Sequence, residues 1–213
     1  VFIYRQEILK DISLFTSQPK AKFYDELFIN LDLSCIPEHN SKTGRSSYSN
    51  HAMICAFIVM KCEGFSQIAD LHDYLSNNLI IAHYCGFDIF RKLPSYAKFT
   101  RFIREFDNDI LQTVMQSQVI KASGLSLVDS SFIALDATPV KANVSNNNLK
   151  SFKKDKFSKK FPPKADKDCR LGVQTASNQH DEKKFEFYWG YKNHILVDCV
   201  SGLPVCELTT GAN

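Results

Sequence analysis

Asp136 is the residue whose setting points most directly to chemistry. It follows the short apolar run Ser130-Ser131-Phe132-Ile133-Ala134-Leu135 and precedes Ala137-Thr138-Pro139, the pattern of a buried strand that ends in a turn. An acid at the carboxyl end of such a strand stands where open α/β sheets present ligands to solvent. A carboxylate on rigid backbone suits a hard divalent ion such as Mg²⁺, which takes oxygen ligands and bridges protein to phosphate. An Asx turn, the carboxylate accepting backbone N–H groups ahead of Thr138-Pro139, accounts for the same residue. Both readings stay open on the sequence.

The second candidate set is cationic. Lys98, Arg101 and Arg104 recur at spacing three within Ser95 to Phe106, on a face away from Phe99, Phe102 and Ile103. Such a face can neutralise phosphates or simply be solvated. Residues 141 to 170 hold ten Lys or Arg against three Asp, a local net charge of +7 in a chain whose formal net charge is +3. Lys141, Lys150, Lys153, Lys154, Lys156, Lys159 and Lys160 carry most of it, with Asn146 to Asn148 and Pro162-Pro163 among them. Charge and proline at this density oppose packing, so 143 to 184 is read as an exposed, mobile insertion. One-signed charge stores counterion-release free energy toward a polyanion, so DNA is the expected partner.

Other chemistries find little support. The seven cysteines contain no C-x-x-C pair and read as small core hydrophobes. His72, His83 and Cys85 offer no pair at helical ligand spacing, so no zinc site is expected. Trp189, beside Tyr188 and Tyr191, reads as strand core or as a stacking platform for a base. Asp198 precedes Cys199-Val200-Ser201-Gly202 and reads as a hairpin-turn residue.

The elements that must position these groups follow from pattern. With 213 residues, 44% hydrophobic and 23% charged, the chain has the composition of a globular protein, which excludes collagen, a coiled-coil rod and wholesale disorder. Its longest apolar run, Ala52 to Met60, falls well short of the ~20 residues of a membrane span, so no membrane is expected as a partner. No secretory signal is readable, and a reducing interior is the expected compartment. Ser49 or Asn50 caps a helix through Ala52, Cys55 and Val59 to Gly64, and Ser66 caps a second with Ile68, Leu71 and Leu75 on one face. A third runs from Leu79 to Cys85, a fourth starts after Pro94 with Ser95 as cap, and a fifth covers Ile110 to Ala122. Near residue 126 the period changes to that of strands: 131 to 137 as a central strand, then 185 to 197 and 203 to 209 as a hairpin about Ser201-Gly202. The expected domains are 1–125, an all-helical bundle, and 126–213, the start of an α+β or α/β domain bearing the basic insertion.

Taken together, the F-T-R-F helix at 99–102, I-A-L-D-A-T-P-V-K-A at 133–142, the polar insertion, W-G-Y-K-N-H at 189–194 and V-D-C-V-S-G-L-P-V at 197–205 resemble bacterial insertion-sequence transposases of the DDE class. The resemblance runs from about Ser47 to Asn213. It implies a ribonuclease H-like catalytic domain with a mixed sheet, of which the chain would hold the first three strands. It also implies Asp136 as the first catalytic acid and Mg²⁺ ligand, with Gly190, Tyr191, Lys192 and His194 on the second strand and Lys192 among the DNA-facing cations. The second aspartate and the glutamate of that family have no counterpart before Asn213, so the catalytic domain reads as truncated and the chain alone as inactive. The implied function is cleavage and strand transfer at element ends by two-metal phosphoryl transfer, with terminal inverted repeats as partner, an oligomer on DNA as an open question, and the bacterial cytoplasm and nucleoid as location. A catalytically inactive DNA-binding remnant that occupies element ends or inhibits an intact transposase is the alternative, and a helical interaction domain without nucleic acid is a third.

Overall fold

The computed structural model describes residues 13–39, 47–144, 162–176 and 184–212. The chain divides into two compact units, Val1–Gln118 and Val119–Asn213.

The first unit is helical. Among the described residues it holds α1 (Ser13–Thr16), α2 (Pro19–Asn30), α3 (Asn50–Cys62), α4 (Ile68–Asn77), α5 (Leu79–Tyr84) and α6 (Tyr96–Glu105), and α7 (Asn108–Gly124) begins in it. Helix α3 is its axis. Ala52, Met53, Ile54, Cys55, Ala56, Val59 and Met60 are all buried, as expected of a helix apolar on every side. Ser49 caps it, its Oγ accepting the Ala52 N–H at 3.4 Å. Buried Asn50 donates through Nδ2 to the Pro37 carbonyl at 2.9 Å and its N–H to Glu38 at 2.8 Å, which ties the preceding loop to the helix start.

Two expected helix caps need correction. Ser66 is not a cap: α4 starts after Gln67, and no side chain caps it. Ser95 does hold the N-cap position of α6, but makes no side-chain hydrogen bond there. Helix α2 was not foreseen, because its charged residues mask a weak stripe in which Ala21 and Tyr24 are buried. It is held from outside by Glu63, at the carboxyl end of α3. That carboxylate receives Lys20 Nζ at 2.5 Å, Tyr24 OH at 2.9 Å and Tyr74 OH at 3.2 Å, so one side chain joins α2, α3 and α4. Burial pushes the Glu63 carboxyl up, but the three donors outweigh it and hold it below its usual range.

The second unit holds an open antiparallel sheet of four strands among the described residues: β1 (Ile133–Lys141), β2 (Arg170–Ala176), β3 (Lys184–Asp198) and β4 (Pro204–Gly211). Long β3 is the spine. β1 runs along its second half from Ile133↔Asp198 to Lys141↔Gly190, β4 pairs with the same half, and β2 pairs with the first half. The β3–β4 hairpin turns at Ser201-Gly202 as expected, with Gly202 at φ +73°. Every pairing among the described strands is antiparallel, and helices with an open antiparallel sheet of four strands make an α+β arrangement, with one strand more than the three expected.

The basic stretch 143–184 is not wholly an insertion. Its described part contains β2, a strand whose apolar core is only Leu171, Gly172 and Val173 and which carries no strand pattern of its own in the sequence. These residues lie opposite Trp189, Tyr188 and Phe187, and Gly172 gives room for the aromatic spine: a Cβ there would lie 2.7 Å from Tyr188 Cζ and 2.8 Å from the Ala212 Cβ. Cys169, just before β2, is fully buried. The expectation of mobility for 145–161 and 177–183 lies outside the described residues.

Candidate nucleic-acid interface and the strand carboxylate

Aromatic packing sets the rotation of α6. Phe99 is 1% exposed and meets the Phe57 ring edge-on at 5.8 Å and the Phe87 ring at 6.3 Å. Phe102 stacks on Phe57 at 6.0 Å and on Phe106 at 4.7 Å. With that face turned inward, helical geometry sends Lys98, Arg101 and Arg104 outward, and all three are exposed. Ile103, expected on the apolar face, is 53% exposed.

Lys98 and Arg101 line a groove of about 1160 Å³ in the helical unit, together with Arg91 and Lys92 from the loop after α5. Sequence reading missed Arg91 and Lys92. They adjoin no charge run, and only the fold brings them to the cations of α6. The wall is not uniformly basic. Asp88 Oδ2 pairs with Arg91 Nε at 3.1 Å, and Glu105 Oε1 with Arg104 Nη2 at 3.6 Å, all on exposed side chains. Exposed pairs of this kind contribute little to stability and exchange readily for phosphate.

The cations expected on the sheet are separated from this groove in sequence and unit. Lys141, at the end of β1, pairs with Glu186 at 2.6 Å. Lys192 lies on β3, opposite Pro139 and Thr210. Lys150, Lys153, Lys154, Lys156, Lys159 and Lys160 lie outside the described residues.

Asp136 does not end a strand. β1 continues through Thr138-Pro139 to Lys141, at the edge of the described sheet and not at its centre. The Thr-Pro pair misleads because proline is tolerated at a free edge. Phe132 accepts from Cys199 and Ala142 donates to Trp189, so even-numbered residues of β1 bond to β3 and odd-numbered ones face outward. The N–H that Pro139 lacks would have pointed to that open side. Asp136 is exposed, and its Oδ1 accepts the Ala137 N–H at 2.7 Å.

Register puts Asp136 opposite Ile195 and Ile195 opposite Glu207. The two carboxylates therefore share one cross-strand row and one sheet face. Two strand spacings separate their Cα atoms, roughly 9.6 Å. Among the described residues no group of three or more His, Cys, Asp or Glu could hold a metal ion. Asp136 and Glu207 thus do not make a Mg²⁺ site by themselves.

Asp198 has the turn role expected of it. It is fully buried and accepts from Val200 N–H and Ser201 N–H at 3.1 Å, Asp129 N–H at 3.2 Å and Ser201 Oγ at 2.5 Å. The Ser201 hydroxyl and these amides hold its carboxyl down at about 2. It fastens the hairpin to the segment that enters β1.

Among the described residues no helix is long and apolar enough to cross a membrane. No curated protein and no solved structure matches the chain. A family model described as Transposase domain (DUF772) matches residues 13–105. These residues run from the first residue of α1 to the last of α6, and the match supports a transposase family for this chain.

Proposed function

We propose that the chain acts in DNA transposition, its helical unit holding DNA along α6 and the Arg91-Lys92 loop, and Asp136 supplying one carboxylate to phosphoryl transfer in a ribonuclease H-like, DDE-type arrangement. The observation that carries this reading is the coincidence of the transposase match with α1–α6, whose last helix turns three exposed cations outward. Lys98, Arg101, Arg91 and Lys92 share one groove wall, where they can neutralise successive phosphates and fix the register of a duplex. A bound divalent ion would supply charge stabilisation at the scissile phosphate. The described residues do not complete a site for it, so no step is assigned to it, and element ends and assembly on DNA belong to the same proposal.

A second reading is favoured by the Asp136 carboxylate, which already accepts the Ala137 N–H within strand β1: a DNA-binding protein in which Asp136 has a local structural role and no part in catalysis, able to occupy element ends or to inhibit an intact transposase. Asp136→Asn separates the two. It keeps the side chain's size and removes its charge, so DNA binding and melting temperature should stay unchanged. If the chain supports excision in cells, alone or with an intact partner, the first reading expects Asp136→Asn to abolish it. Excision indifferent to Asp136→Asn would remove Asp136 from the chemistry and leave the second reading.

A further inference from the structure

Phe90 is the most exposed large apolar side chain among the described residues, at 95%. It is held there by its surroundings. Asp88 Oδ1 accepts the Phe90 N–H at 3.0 Å, the Asp88 carbonyl accepts the Arg91 N–H at 3.1 Å, and Asp88 Oδ2 pairs with Arg91 Nε. Beyond the turn, the Lys92 carbonyl accepts the Tyr48 hydroxyl at 3.0 Å. Ile89, the preceding residue, packs against the helical core. Backbone on both sides of Phe90 is therefore fixed while its ring stands in water, an arrangement that leaves the burial of a whole aromatic group unused in the free protein.

The neighbours decide what would bury it. Asp88, Arg91 and Lys92 line the groove with Lys98 and Arg101, and Glu38, Glu105 and Asp107 line it too, so Phe90 lies in sequence between residues of a wall that carries charges of both signs. An apolar protein interface is depleted of charge at its centre, and this position is not. A single rigid aromatic beside cations is the composition with which architectural proteins enter DNA: phosphates are neutralised around the ring, and the ring unstacks a base step. Resting on the DNA-binding reading above, we infer that Phe90 is a stacking wedge that enters a base step of duplex DNA seated along Arg91, Lys92, Lys98 and Arg101.

The test uses the full chain with two fluorescein-labelled duplexes of the same mixed sequence, one fully paired and one with a central T·T mismatch, titrated at several salt concentrations. A mismatch lowers the cost of unstacking, so the wild type should bind the mismatched duplex several-fold tighter. Phe90→Ala should weaken binding roughly ten-fold, the loss of one base–aromatic stack, and erase the mismatch preference, while Phe90→Trp retains both. Arg91→Ala and Lys92→Ala should instead each lower the slope of log affinity against log salt by about 0.9 and keep the preference. Phe90→Ala that binds both duplexes as the wild type does, with the salt slope intact, would overturn the wedge and leave the DNA reading standing. Wild-type protein with no salt-dependent DNA binding would overturn both. Self-association of the free chain that disappears in Phe90→Ala would assign the ring to a protein contact instead.

Discussion

Phe99 and Phe90 are the same residue type in the same unit, and they should respond to truncation in opposite ways. Phe99 is 1% exposed, with two edge-on ring contacts, to Phe57 and Phe87. Phe→Ala at such a site costs about 3–5 kcal/mol, of which each lost aromatic pair accounts for about 0.5–1.5 kcal/mol. A domain has only about 5–15 kcal/mol in total, so Phe99→Ala should consume about a fifth or more of it and lower the melting temperature by roughly 12–40 °C. Phe90, at 95% exposure, should change stability by less than about 0.5 kcal/mol when truncated. Urea unfolding followed by far-ultraviolet circular dichroism reads the helical unit, the main source of that signal. Because Phe99 sets the rotation of α6, Phe99→Leu, which keeps most of the packing volume, should preserve DNA affinity better than Phe99→Ala does. A Phe99→Ala midpoint within 1 kcal/mol of the wild type, or a Phe90→Ala loss of comparable size, would refute the packing that orients α6.

Further outcomes follow from charge and close approach. Lys98→Ala, Arg101→Ala and Arg104→Ala should each reduce the salt dependence of DNA affinity by about 0.9 in log–log slope, with little change across DNA sequences, since phosphate contacts carry no base information. Asp198, whose carboxyl is held at about 2, lies below the ordinary aspartate value of about 3.9. The unfolded chain binds that proton more readily, so its stabilisation is present above about pH 4 and is lost as pH falls toward 2. Thermal melts should drop across that window in the wild type and less steeply in Asp198→Asn, with faster amide exchange at 199–203 in the variant. Gly190→Ala would place a Cβ 2.1 Å from the Val140 carbonyl oxygen, a backbone atom that cannot step aside. It should destabilise the sheet by about 1–3 kcal/mol and raise amide exchange along β1.

How far these elements were legible in the sequence depended on whether the signal was local. Helix α3 was readable because Ser49 caps an uninterrupted apolar segment, and α6 because Phe99 and Phe102 alternate with cations at helical spacing. The hairpin was readable from Ser201-Gly202 and the aromatic and β-branched run before it. Helix α2 was hidden, since its anchor, Glu63, is far away in sequence and its own apolar stripe is thin. Strand β2 was hidden by the charge around it; what makes Leu171-Gly172-Val173 a strand is the aromatic spine opposite, a tertiary partner. Asp136 was found but misplaced, because Thr138-Pro139 reads as a turn unless one knows which strand edge is open. Arg91 and Lys92 gave no pattern of their own, and only the fold sets them beside Lys98 and Arg101.

The central claim, that the helical unit grips DNA along α6 and the preceding loop, is tested most directly by ultraviolet cross-linking of the wild-type chain to duplex DNA followed by mass spectrometry of the attached peptides. The result expected is attachment concentrated in peptides spanning 88–106, suppressed by added salt and by the combined Lys98→Ala and Arg101→Ala changes. Cross-links confined to the sheet peptides spanning 184–211, or none at salt concentrations where the chain binds DNA, would contradict it.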